Sequence, residues 1–144
     1  MSAGGENCLF CKIAAGSVPA VSVFEDSISM AFLDHRPLFP GHCLLVLRQH
    51  YEALGDLPRK LVGPLFSNVQ LLARAVEVAM DAEGTFVAMN NKVSQSVPHL
   101  HVHVVPRRKK DGLKGFFWPR TKYQGEEEIL QVGEAIRLAL TSLT

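Results

Sequence analysis

The sequence predicts an α+β domain, in which an antiparallel sheet of about five strands is combined with one long helix and a C-terminal helix. Two observations predict this class. Short β-prone segments follow one another mostly without an intervening helix, and only two stretches carry the 3.6-residue period of substantial helices. The chain has 144 residues, 47% of them apolar, which is sufficient for one domain with its own core. We therefore expect a single domain over residues 1–144, with its core at about 8–108 and a C-terminal basic and aromatic segment and helix at 109–144.

The expected strands are residues 21–25, 29–33, 42–47, 85–90 and 99–105. The first two flank Asp26-Ser27 and predict a hairpin. The third is a nearly continuous apolar run, which is typical of a strand buried on both faces.

Apolar side chains predict the helices. From 58 to 82 they recur at helical spacing and are followed by Gly84, with Pro64 either kinking this helix or marking its first turn. Residues 126–143 begin with three glutamates, where a helix dipole favours negative charge. Residues 8–15 form a shorter helical turn that Gly16 closes.

The charge balance excludes several classes of partner. The formal net charge is +1 and charged residues make up 20% of the chain, so we expect neither nucleic acid nor a membrane as partner.

No signal-like apolar segment is evident, which makes the cytoplasm the expected location. Three cysteines, an odd number, argue against a disulfide framework.

Three histidines alternate at positions 99, 101 and 103. Alternate side chains of a strand share one face, so the central His101 would be flanked by two imidazoles. Spacing alone slightly favours metal chelation over a histidine nucleophile. The neutral polar side chains of Gln95 and Ser96, directly upstream, favour phosphate chemistry instead. Seven of the fifteen Lys and Arg residues lie between 107 and 122 and could attract a polyphosphate.

The run Gln-Ser-Val-Pro-His-Leu-His-Val-His-Val-Val-Pro, residues 95–106, resembles the signature of the histidine triad (HIT) superfamily of nucleotide hydrolases and transferases. Further ordered motifs agree with this resemblance. They are Cys-Leu-Phe-Cys-Lys-Ile at 8–13, Phe-Glu-Asp at 24–26, Phe-Leu-Asp at 32–34, Pro-Gly-His at 40–42 and Arg-Gln-His at 48–50. The resemblance covers about residues 8–108 and implies a HIT-like fold that forms a homodimer with a continuous sheet.

The resemblance also implies an enzyme that acts on the α-phosphorus of purine nucleotide conjugates through a nucleotidyl-histidine intermediate. Candidate substrates are adenosine phosphoramidates, aminoacyl adenylates and diadenosine polyphosphates. His101 would be the nucleophile, His103 would contact the phosphate and leaving group, and His99 would orient the site. Phosphate oxygens would be bound by Gln95, Ser96 and either Asn90 or Asn91. The ribose would be bound by Asp34, and the base by Phe10, Ile13, Val18, Phe32 and Leu33.

A structural Zn²⁺ is the cofactor that the resemblance implies. Its ligands would be Cys8, Cys11, His50 and His99, a closed Cys₂His₂ set. In the competing interpretation the cysteines bind no metal and the histidines only form hydrogen bonds.

The chain departs from the family pattern in three places. Ser94 stands where the family often has glycine, His35 stands where a small apolar residue is common, and the aromatic segment 115–123 lies outside the common core.

The competing function is a nucleotide-binding regulatory or scaffold module with incidental activity.

Overall fold

The computed structural model describes residues 7–113 and 120–143. The described α-helices and strands, in chain order, are α1 (Leu9–Ala14), β1 (Ser22–Glu25), β2 (Ser29–Leu33), β3 (Cys43–Leu47), α2 (Arg59–Met80), β4 (Gly84–Ala88), β5 (His101–Arg107) and α3 (Glu126–Leu143), and a short 3-10 helix (Leu54–Asp56) precedes α2. The chain forms two compact units, one ending at Asp111 and the other beginning at Gly112. Among the described helices, none is long and apolar enough to cross a membrane.

The first unit contains a five-stranded antiparallel sheet in the order β1-β2-β3-β5-β4. The predicted α+β class is thereby confirmed. Strand β5 lies between β3 and β4, so hydrogen bonds on both sides fix its position. In this register His101 lies opposite Val46, and His103 lies opposite Leu44.

Both faces of the sheet are covered, which explains why β3 is apolar throughout. On one face, Leu45, Val102 and Val104 pack in a cluster with buried residues of α2 such as Leu65 and Leu72. On the other face, a second cluster joins α1 to the sheet. Its buried members are Cys8, Phe10, Ile13, Met30, Phe32, Leu44 and Val46. His101 and His103 share this second face, because they lie opposite Val46 and Leu44.

The structure corrects one prediction about the histidines. Strand β5 begins at His101, so His99 lies in the turn before it and the expected strand over 99–105 begins too early. The turn is held by a 2.8 Å hydrogen bond from the His99 N–H to the Val97 carbonyl, and by a 2.7 Å bond from the Leu100 N–H to the Tyr51 carbonyl. The ring of His99 is consequently turned towards α1 and His50.

The two long helices match the predicted segments. Helix α2 extends from Arg59 to Met80, and Pro64 lies inside it, beyond its first turn. Helix α3 covers the expected residues, and its apolar side chains, Ile136 and Leu140 among them, are exposed.

Candidate active site

A cavity of about 720 Å³ opens on the α1 side of the sheet. All five residues predicted to bind the base line it: Phe10, Ile13, Val18, Phe32 and Leu33. Four of the predicted polar residues also line it: Asp34, Ser96, His101 and His103. Residues far apart in the sequence therefore meet around one space that is apolar at one end and carries imidazoles at the other.

Asn90 and Gln95, two of the predicted phosphate ligands, do not line this cavity. The side-chain amide of Asn90 donates to the Ser94 carbonyl over 3.1 Å. That of Gln95 accepts from the Lys92 N–H at 2.9 Å and donates to the Glu52 carbonyl at 2.6 Å. Both amides thus hold the loop that precedes Ser96.

Asn91, the other candidate for phosphate contact, accepts from the Leu54 N–H at 2.8 Å. Ser94 has a φ of 61°, in the left-handed region that favours glycine, which gives a physical reason for glycine at this place in the family. Most of the predicted aromatic segment 115–123 lies outside the described residues.

The tautomer of His101 is fixed by its own strand. Its Nδ1 lies 2.7 Å from the backbone carbonyl of His99, and a carbonyl can only accept. Nδ1 therefore carries the proton, and in the neutral ring Nε2 keeps an unshared electron pair. The ring of Phe10 contacts His101 edge-on, with centroids 4.9 Å apart, and holds it in one orientation. His101 thus offers a nucleophilic nitrogen beside the cavity.

His42 fixes the tautomer of His103, and sequence reasoning gave it no role. The Nδ1 of His42 accepts from the Leu38 N–H at 3.0 Å, so the proton of neutral His42 is on Nε2. That Nε2 lies 3.0 Å from Nδ1 of His103, which must accept. The proton of neutral His103 is consequently on its own Nε2. His103 is therefore a hydrogen-bond donor next to His101, with ring centroids 5.0 Å apart.

Burial keeps His42 and His103 neutral. Burial, followed by repulsion from His101 and His42, lowers the pKa of His103 to about 4, although Asp34 acts in the opposite direction. Burial also lowers the pKa of His42, again opposed by Asp34. The hydrogen-bond chain from Leu38 to His103 therefore operates with neutral rings at pH 7.

Four potential metal ligands converge beneath α1: Cys8, Cys11, His50 and His99. Their ligand atoms all lie within 4.8 Å of one another. The Nε2 of His99 donates to the Leu47 carbonyl at 2.9 Å, which leaves the Nδ1 electron pair directed at Sγ of Cys8, 3.2 Å away, and Sγ of Cys11, 3.5 Å away. The Nδ1 of His50 lies 3.3 Å from Sγ of Cys11.

This set fits a tetrahedral divalent cation. Bonds of about 2.3 Å to sulfur and 2.0 Å to nitrogen place the ligands of Zn²⁺ roughly 3.3–3.8 Å apart, close to the sulfur–nitrogen distances found here. Burial, a hydrogen bond with Cys8 and repulsion from Cys8 raise the pKa of Cys11 to about 11. Without a cation, two thiolates side by side are therefore unfavourable, whereas a bound cation would balance both charges.

A second group, Asp34, His42 and His103, also lies within 4.8 Å but does not fit a metal. The Leu38 N–H occupies Nδ1 of His42, so the proton of neutral His42 must be on the nitrogen that would have to bind the cation. The hydrogen bond from His42 to His103 explains why these two rings lie close together without a bound ion.

Helix α1 joins the cluster of potential metal ligands to the cavity. Cys8 is its N-cap, and its sulfur accepts from the Cys11 N–H at 3.3 Å. Cys8 and Cys11 are three residues apart and share one side of the helix, while Phe10 and Ile13, also three apart, face the cavity. One short helix thus positions two metal-ligand candidates and two residues of the apolar pocket.

The fold and site together define a class: an antiparallel α+β domain in which two neighbouring histidines, His101 and His103, line an apolar pocket. Residues 15–110 match the HIT domain, and the chain belongs to this family. It is 31% identical to adenylylsulfatase HINT3 of Arabidopsis thaliana over 144 residues, covering 95% of this chain and 71% of the relative. It is 32% identical to adenosine 5'-monophosphoramidase hnt1 of Schizosaccharomyces pombe over 132 residues, covering 90% and 96%.

A solved structure gives the same fold. The Zn-bound histidine triad family protein from Mycobacterium smegmatis superposes with a TM-score of 0.72 at 35% identity, covering 97% of each chain. The predicted HIT-like fold is thereby confirmed, and the relatives named as hydrolases confirm the prediction of a HIT-family hydrolase.

Proposed function

We propose that this protein hydrolyses purine nucleotide conjugates at the α-phosphorus through a nucleotidyl intermediate on His101. The observation that carries the proposal is the 2.7 Å hydrogen bond from Nδ1 of His101 to the His99 carbonyl, because it leaves Nε2 unprotonated beside a cavity of nucleotide size.

The cavity suits a nucleoside. Phe10 and Phe32 meet edge-on with centroids 5.4 Å apart, and together with Ile13, Val18 and Leu33 they provide an apolar slot for a planar base. Asp34 directly follows Leu33 in the sequence and lines the same cavity. Its Oδ1 accepts from the Arg36 N–H at 2.9 Å, which orients the carboxylate to accept from ribose hydroxyls.

The reaction has two steps. In the first, the Nε2 electron pair of His101 forms an N–P bond while the bond from phosphorus to the leaving atom breaks. The leaving atom takes a proton from solvent next to the Ser96 hydroxyl, while Nε2–H of His103 donates to a phosphoryl oxygen. In the second, water attacks phosphorus, the N–P electrons return to His101, and the proton lost by water balances the one already taken. The products are the nucleoside monophosphate and the protonated leaving group.

A structural Zn²⁺ held by Cys8, Cys11, His50 and His99 completes the proposed site. When bound, it supplies a fixed cross-link between α1, the segment after β3 and the turn before β5. The carbonyl of His99 orients His101, so this cross-link also holds the nucleophile's acceptor in place. We further propose a homodimer, in which the outer edge of β4, an edge strand of the described sheet, extends the sheet across two chains.

Replacing His42 with leucine is expected to lower kcat/KM about 10- to 100-fold. Leucine cannot donate to Nδ1 of His103, so Nε2 of the neutral His103 ring would no longer be the only protonated position. Nitrogen chemical shifts of His103 should report a single Nε2–H tautomer in the parent protein and a mixture in the variant. A merely structural role for His42 would leave that tautomer signal unchanged, and such a result would contradict the relay.

The proposed function is tested by incubating the metal-loaded protein with adenosine 5'-phosphoramidate and measuring AMP by chromatography. Catalytic release of AMP is the expected result. Tight binding of the compound without release would instead favour the regulatory or scaffold role.

A further inference from the structure

A second open cavity of about 570 Å³ adjoins the first on the side of the four potential metal ligands, two of which, Cys8 and His50, line it. Its described lining is Asn7, Cys8, Leu9, His50, Glu52, Ser96, Val97 and Pro98. Leu9, Ser96 and Val97 line both cavities. A phosphorus atom at His101 would therefore have the nucleoside in the first cavity, with the second open to it across Ser96.

The charge of the second cavity indicates which leaving groups it could accept. Glu52 is the only Asp, Glu, Lys or Arg among its described lining residues. The described lining of the first cavity includes Asp34 but neither Lys nor Arg. Among the described lining residues, the second cavity thus offers a leaving group one carboxylate and no lysine or arginine, which is the opposite of what a polyphosphate requires.

Two arginines of the basic stretch, at the end of β5, have partners away from the cavities. Arg107 forms an ion pair with Asp111. Arg108 donates to the carbonyls of Met80 and Asp81 at the end of α2. The polyphosphate preference that the sequence suggested therefore receives no support from these two arginines.

The backbone holds Glu52 in a defined place. Its carbonyl accepts from the Gln95 side chain at 2.6 Å, directly before Ser96. The neighbouring Tyr51 carbonyl accepts from the Leu100 N–H at 2.7 Å, directly before His101. The segment that carries Glu52 is thus bonded to both ends of the Ser96–His101 stretch, and this bonding gives Gln95 a positioning role.

We propose that the second cavity is the leaving-group subsite and that Glu52 makes it selective for leaving groups that carry an ammonium group. The preferred substrate class is then an adenosine phosphoramidate of a cationic amine, and dinucleoside polyphosphates are disfavoured. The inference rests on the proposed function and assigns the substrate class of the same site.

The test uses three adenosine 5'-phosphoramidates with four-carbon amines: 1,4-diaminobutane, butylamine and 4-aminobutanoate. They differ in terminal charge, which is positive, neutral and negative. We expect the parent protein to have its highest kcat/KM for the first and its lowest for the third. Glu52→Gln should reduce the ratio between first and third about threefold, and Glu52→Lys should reduce it about tenfold or invert it, as expected for charges several ångströms apart near solvent.

Glu83→Gln and Glu83→Lys make the same charge changes beside the far end of β5, where the Glu83 N–H donates to the Arg107 carbonyl. They should leave the ratio unchanged. The subsite is overturned if Glu52→Lys changes the ratio no more than Glu83→Lys does, even though all three compounds release AMP, and the proposed function would survive that result.

A binding experiment separates the two proposals. If the parent protein released no AMP from any compound, the hydrolase function would fail. Calorimetric Kd values of the three compounds with His101→Asn protein, with and without Glu52→Lys, would still decide the subsite. A ratio of Kd values that follows the charge at position 52 supports it, and a constant ratio overturns it.

Discussion

Replacing His101 with asparagine should lower kcat/KM for AMP release at least about 10⁴-fold, because it removes the atom that forms the N–P bond. Asparagine can still donate to the His99 carbonyl and is smaller than histidine, so we expect the strand and cavity to be retained. The measurement is AMP release from adenosine phosphoramidate by parent and variant proteins at equal metal content.

The binding of AMP provides the control for this variant. The apolar slot and Asp34 are untouched, so the Kd of AMP measured by calorimetry should stay within about threefold of the parent value. Loss of turnover with retained binding separates chemistry from folding. A variant that keeps more than about a tenth of the parent kcat/KM would contradict the nucleophile assignment.

Replacing Cys11 with alanine should remove the bound metal and lower the midpoint of thermal unfolding by about 10 °C. The physical reason is that metal-binding free energy is folding free energy when the ligands come from separate segments. Here they come from α1, the segment after β3 and the turn before β5. Metal content by mass spectrometry and unfolding by calorimetry provide the two measurements.

Cys43→Ala is the matched control, because Cys43 is buried in β3 and its thiol donates to the Gly41 carbonyl instead of joining the cluster. This variant should keep one metal ion per chain. A chelator should destabilise the parent and Cys43→Ala proteins and leave Cys11→Ala protein unaffected. A metal-free parent protein whose stability a chelator does not change would contradict the zinc proposal.

Much of the fold could be predicted because it is encoded locally. The apolar run of β3 and the helical spacing of α2 and α3 are properties of short windows, and these elements begin and end within two residues of expectation. The placement of His99 is different. Its alternation with His101 is the same in a strand and in a turn, and the turn depends on the carbonyl of Tyr51, which is distant in sequence.

The site likewise combines residues that the sequence identifies with contacts that depend on residues distant in the sequence. The nine predicted residues that line the first cavity were assigned from the family resemblance, and all but Val18 lie within its motifs. His42 could not be assigned a role, because its contact with His103 depends on the register that places Leu44 opposite His103. Gln95 was predicted to bind phosphate, but its amide is bonded to Glu52 and Lys92, an arrangement that only the folded loop reveals.

The most direct test of the central claim is intact-protein mass spectrometry of the parent protein, quenched within the first turnover of an adenosine phosphoramidate. We predict a covalent adduct with the mass of one adenosine monophosphate group, mapped by fragmentation to His101 and absent from His101→Asn protein. An adduct on another residue, or a burst of AMP release with no adduct at any quench time, would contradict the account.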